Sequence, residues 1–287
     1  MKLNLNLIQS IRLVHALAES DFSVHVPHEE VWRFASLRTR FPIDLSDTPG
    51  PLITKRHLSV DHPTPRTTIG SHTRPLVFPH KILAACRNRW IENRTIHTFF
   101  SGLITSQRQA TIHDWIDRRS AGQRRSKVPI TDSRPHRAIR AIRVAMGKGD
   151  RNTYPLRGGS FVMSSSHAGR QFPSKAWDQT YYDTMCRSRF ALCPNGDFVW
   201  TYRFFEATMC GAIPIVEQPC ALYDGFHYHM MDDDDYAWSA DKAQHNYELC
   251  AQRLTIPLAD LNRELTKIIE LTGSRVTSPA QRQHTAQ

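Results

Sequence analysis

Two short runs without a polar residue, Phe190-Ala191-Leu192-Cys193 and Ala212-Ile213-Pro214-Ile215-Val216, constrain this chain more than any other feature. A strand with one wet face alternates apolar and polar side chains; these do not, so both of their faces must be covered. Between them, Tyr202 to Cys210 has the length of a helix and stops at Gly211, which suits the residue that ends a helix. Upstream, Ala176 to Ser188 reads as another helix. Helix, strand, loop, helix, strand predicts a parallel sheet with crossover helices, in which ligands sit beyond the carboxyl ends of the strands. The loop from Asn195 to Thr201 is therefore the expected ligand-facing segment.

The remainder is less regular. Leu7 to Leu17 has an apolar period interrupted by Gln9, Arg12 and His15, and Pro42 to Pro79 is punctuated by prolines that favour loops and short strands. A helix is expected from Lys81 to Arg94 and a strand from Thr95 to Phe100 ending at Ser101-Gly102, with Arg108 in a polar loop beyond it. The Gly- and Ser-rich run from Arg157 to Gly169 reads as a separator, and helices are expected near Ala243 to Leu254 and Leu258 to Leu271. With 287 residues, two domains fit. The first twenty residues lack a signal peptide's apolar core and no run could cross a bilayer, so a soluble cytoplasmic protein is expected.

Charge is placed unevenly. Arg87 to Arg151 holds 15 Lys and Arg against 5 Asp and Glu, which is the whole net charge of +10. Such a field attracts phosphates, whether of a nucleotide ligand or of nucleic acid. Six cysteines with no C-x-x-C pair signal neither a zinc site nor a disulfide framework. His227 and His229 with Asp232 to Asp235 form the one arrangement that could bind a cation, and a solvated acidic turn is the expected reading. Glycine-rich phosphate loops, G-x-S-x-G and H-E-x-x-H are absent.

Pro194-Asn195-Gly196, then Arg203 with Glu206 three residues on, then Gly211-Ala212-Ile213-Pro214-Ile215 resembles the nucleotide-sugar half of the exostosin-like glycosyltransferases, family 47. Thr98-Phe99-Phe100-Ser101-Gly102 followed by Arg108 resembles the block that opens that domain. The resemblance implies a GT-B-like α/β fold: two Rossmann-like α/β/α domains facing a cleft, with the N-terminal one reduced. Residues 1–92 would form the acceptor-side domain, 93–275 the donor domain and 276–287 a tail. It implies an inverting transfer from a UDP-sugar, xylose-type as a guess, to a hydroxyl of a glycan or glycoprotein, with no metal or other cofactor, no nucleic acid and no membrane span.

In that reading Arg203 and Arg108 hold the diphosphate, Glu206 holds the ribose, and Gly102, Asn195, Gly196 and Thr201 complete the donor site. Chemistry agrees: a diphosphate wants arginine and a helix N-terminus, Thr201 can cap that helix, and Gly196 lets backbone approach closely. Trp200 is placed to pack against a base or sugar. An inverting transfer also needs a group to take the acceptor's proton, for which Asp61 comes first and Glu30 second. Two rivals stand beside it: a nucleic-acid-binding protein using the basic stretch, and an inactive glycan-binding relative.

Overall fold

A computed structural model describes residues 3–46, 48–50, 57–120, 142, 151–166 and 169–272. The expected tail at 276–287 and residues 121–141 and 143–150 of the basic stretch lie outside the described residues. The chain divides into two compact units, Met1–His80 with Gln252–Gln287 and Lys81–Ala251.

The first unit opens with α1 (Ile8–Leu17), in which Gln9, Arg12 and His15 are buried along with the leucines, so the polar interruptions lie inside rather than on a wet face. A parallel pair, β1 (Val24–His25) and β2 (Leu45–Ser46), is joined through two one-turn helices, α2 (His28–Val31) and α3 (Ala35–Arg38). The proline-rich run then forms an antiparallel meander, β3 (Leu58–Asp61), β4 (Arg66–Ile69) and β5 (His72–Arg74). Leu58 and Ile69 sit opposite one another in register, and both are buried.

The second unit is built on one sheet. After α4 (His80–Arg87) come β6 (Ile96–Leu103), α5 (Ser106–Arg119), β7 (Arg151–Leu156) and β8 (Gly159–Ser166). Next are α6 (Gln179–Cys186), β9 (Ser188–Cys193), α7 (Tyr202–Met209), β10 (Ile213–Val216), β11 (His229–Met230) and α8 (Ala240–Leu254). The order across the sheet is β11-β10-β9-β6-β8-β7, all parallel except the β7–β8 hairpin. Phe100, Phe190, Leu192, Ile213 and Ile215 pack with Ile112, Trp115 and Ile116 of α5. One residue earlier, Phe99 turns the other way, its ring 5.8 Å from Tyr181 of α6. This two-faced covering is what the unbroken apolar runs demanded.

Four expectations change. The run from Arg157 to Gly169 is no separator: Phe161, Val162 and Met163 are buried in β8, paired with β6. Arg108 lies in the first turn of α5, whose N-cap Thr105 accepts the Arg108 backbone N–H, and not in a loop. The helix from His80 ends at Arg87 rather than Arg94, because Trp90 and Arg94 are tied elsewhere: Trp90 Nε1 donates to the Met209 carbonyl and Arg94 to those of Ser188 and Cys210. The last helix, α9 (Leu258–Leu271), packs in the first unit through Leu261, Leu265 and Ile268, which meet Leu13, Leu17 and Leu58. Its period of three and four builds that stripe, and Glu264 accepts the Ser71 backbone N–H at 2.7 Å.

Candidate functional site

The residues singled out for the donor converge where β6 and β9 end and α7 begins. Parallel strands finish there with carbonyls that no further strand residue uses, and two arginines satisfy them. Arg203 Nε and Nη2 both donate to the Ser101 carbonyl, at 3.0 and 2.6 Å, with the guanidinium lying over the Phe100 ring. Arg108 Nε donates to the Asn195 carbonyl at 3.0 Å and Nη1 to that of Leu103 at 2.6 Å. The glycines make room for these side chains. A Cβ on Gly102 would run into the Arg203 guanidinium, and one on Gly196 would come within 2.5 Å of Arg108 Nη2. Their smallness thus positions arginines, where the sequence suggested close approach of backbone to a ligand.

Neither arginine forms an ion pair among the described residues. Burial lowers the Arg108 pKa to about 10, with Arg203 lowering it further and Asp197 and Glu217 opposing. Two fixed cations are therefore held against one another beside a helix N-terminus, an arrangement that a multivalent anion relieves. Thr201 caps α7 as expected, its Oγ1 accepting the Phe204 N–H at 3.3 Å, while its own N–H donates to the Tyr223 hydroxyl. Asn195 donates its N–H to Glu217, and its side-chain Oδ1 is buried without a partner.

Glu206 sits one turn into α7 and is 1% exposed. Its Oε2 accepts from the Tyr181 hydroxyl at 2.7 Å and from Arg170 Nη2 at 3.2 Å; its Oε1 accepts from the Tyr182 hydroxyl at 2.8 Å. Burial pushes the Tyr181 hydroxyl pKa up, and Glu206 adds to it. Burial by itself would lower the Arg170 pKa, but Glu206, Tyr181, Tyr182 and Asp178 together outweigh it and the net shift is upward. Arg170 Nη1 is buried with no hydrogen-bond partner. These three partners of Glu206 escaped the sequence reading: Tyr181 and Tyr182 look like core residues of a helix, and Arg170 follows a segment read as a separator. The adjacent double tyrosine at the helix start was the available signal.

Other expectations resolve differently. Trp200 is 7% exposed and stacks parallel to Phe198 rather than offering an open face. His227 packs against His245, whereas His229 pairs with Asp233 and the Ala237 carbonyl. Among the described residues no three His, Cys, Asp or Glu side chains converge to hold a metal ion. Burial pushes the Cys193 thiol, at the end of β9, up to about 12, so it is no nucleophile. The candidate bases both lie in the first unit: Asp61 is exposed at the end of β3, and Glu30 is engaged by Arg33. No described helix is long and apolar enough to cross a membrane.

Residues 54–221 match the family model of the Exostosin GT47 domain. The chain belongs to this family. The match covers β6, α5, β9 and α7, the elements that place Arg108, Arg203 and Glu206. Membership of the Exostosin GT47 family supports glycosyltransfer as the activity, which in general implies a nucleotide sugar and a glycan acceptor. The six-stranded α/β sheet is compatible with a GT-B-like enzyme of that family. No curated protein matches the chain.

Proposed function

We propose that the chain moves a hexose or pentose from a UDP-sugar, with inversion, to a hydroxyl of a glycan, and that it does so without a metal ion. The reading rests on the Arg108 and Arg203 pair, anchored on strand-end carbonyls beside the start of α7, with no carboxylate in ion-pair contact among the described residues. The donor's diphosphate takes that place. As the acceptor oxygen bonds to the anomeric carbon and the bond to the diphosphate breaks, negative charge grows on the leaving oxygen. Guanidiniums already fixed by the backbone stabilise that charge without rearranging.

A ribose reaches Glu206 by displacing Arg170, whose bond at 3.2 Å is longer than those from the Tyr181 and Tyr182 hydroxyls. The freed Arg170 then turns its donors to the diphosphate. In a GT-B-like arrangement the first unit serves the acceptor. There Asp61, held only by a 3.4 Å bond from the Thr64 N–H among the described residues, takes the acceptor's proton in preference to the engaged Glu30.

Calorimetric titration with UDP in the presence of chelator tests this reading. Saturable binding that Arg203→Ala weakens strongly supports it, and turnover of a UDP-sugar panel then completes it. Absence of UDP binding, or binding indifferent to that substitution, sinks it. Binding without turnover of any UDP-sugar identifies an inactive relative instead.

A further inference from the structure

The opposite end of the same sheet carries a charged cavity that glycosyl transfer at the carboxyl ends leaves unused. About 590 Å³ in volume, it lies where β6 and β9 begin, between the turn of the β7–β8 hairpin and the stretch from Asp235 to Trp238. Arg94, Arg119, Arg157 and Arg189 share its wall with Glu92 and Asp235, and Asp232 to Asp234 line an adjoining hollow with Arg119 and Arg157. A smaller hollow of about 360 Å³ also includes Arg94, His97 and Arg189.

The four guanidiniums are not equivalent. Arg119 lies over the Tyr236 ring and donates to the carbonyls of Asp233 and Asp234. Arg94 is 4% exposed and donates to the Ser188 and Cys210 carbonyls, yet its Nε is buried without a partner. Burial lowers its pKa to about 10, and the groups that oppose this are the thiols of Cys186 and Cys210 rather than a carboxylate. Arg157, at the hairpin turn, and Arg189, at the start of β9, are exposed, and no side-chain partner engages either among the described residues. His97 shares the wall, its Nδ1 2.8 Å from the Thr98 hydroxyl and its pKa lowered by burial and then by Arg189 and Arg119, so its ring is neutral at pH 7. Gly158 and Gly159 leave the turn without side chains, and a Cβ on Gly159 would come within 2.5 Å of the His97 Cβ.

Two exposed arginines without side-chain partners, beside a neutral histidine, are the parts of an oxyanion site, and a cavity of this size admits more than a bare ion. We infer that this cavity binds the phosphate of a compact phosphate monoester, with Arg157 and Arg189 gripping the phosphate and the rest of the molecule filling the cavity. The site is separate from the donor's and does not depend on the reading given for it.

The experiment titrates the full-length chain at constant ionic strength with glucose 6-phosphate, with inorganic phosphate and with chloride as control. It then repeats the series with Arg157→Ala/Arg189→Ala, and with UDP present. The expected result is saturable binding of glucose 6-phosphate, about tenfold tighter than inorganic phosphate and at least about tenfold weaker in the double variant. UDP should not compete, and an unchanged thermal midpoint shows that the double variant, whose substitutions are exposed, is folded. Equal affinity for the monoester and inorganic phosphate would reduce the site to a bare anion hole and overturn the inference. Unchanged binding in the double variant, competition by UDP, or an effect equalled by chloride would each overturn it as well.

Discussion

Arginines line both ends of the parallel sheet in the second unit, but the backbone treats them differently. At the carboxyl end, β6 and β9 finish in carbonyls, and Arg108 and Arg203 each place two nitrogens on them. At the amino end, Arg94 and Arg119 find strand-start, helix-end and loop carbonyls, while Arg157 and Arg189 find none among the described residues. The first pair is therefore preorganised and its geometry belongs to the fold; the second pair can adapt to what enters. Polarity of a parallel sheet thus decides which arginines become rigid, a distinction invisible in a count of charges.

The sharpest way to break the comparison is at the carboxyl end. Glu206→Ala leaves Arg170 and two tyrosine hydroxyls without their shared acceptor, and stability is expected to fall by about 3–5 kcal/mol, read by denaturant titration. A loss near that of an ordinary surface change would show that Arg170 does not depend on the carboxylate. Arg203→Ala comes next: kcat/KM for the UDP-sugar should drop on the order of 10²–10³-fold, whereas Arg189→Ala should leave it unchanged. Equal effects at the two ends would erase the distinction drawn here.

Smaller effects sharpen it. Thr201→Ala removes the cap of the helix that carries both Arg203 and Glu206, costing about 1 kcal/mol and weakening donor binding in the same variant. Thiols under the sheet supply a pH test. Burial raises the Cys193 and Cys250 pKa values from the ordinary 9.0 to about 12 in the folded chain. Raised folded values mean that the folded chain holds these protons more tightly than the unfolded one. Their stabilisation is complete below pH 9 and is lost as pH climbs toward 12. Thermal midpoints of the wild type should decline over that range, and Cys193→Ala should flatten part of the decline; an identical slope in the variant would count against it.

Sequence by itself determined the parallel sheet, because a run with no polar face has nowhere to go but between two layers. It determined the cap at Thr201, the end of α7 at Gly211, and the grouping of Asn195, Gly196, Arg203 and Glu206, since short-range spacing fixes which residues leave one loop and one helix turn together; Arg108 joined them only through the resemblance. The reach of a side chain across the chain was not legible. That Glu206 meets Arg170 and two tyrosines, that glycines house guanidiniums, and that Ser160 to Ser164 lie in a strand beside β6 are long-range pairings, set by which elements become neighbours. The same holds for α9, whose stripe the sequence displays but whose partners it does not. Local periodicity says that a face must be buried; only the tertiary structure decides against what, because the free energy of burial is indifferent to sequence distance.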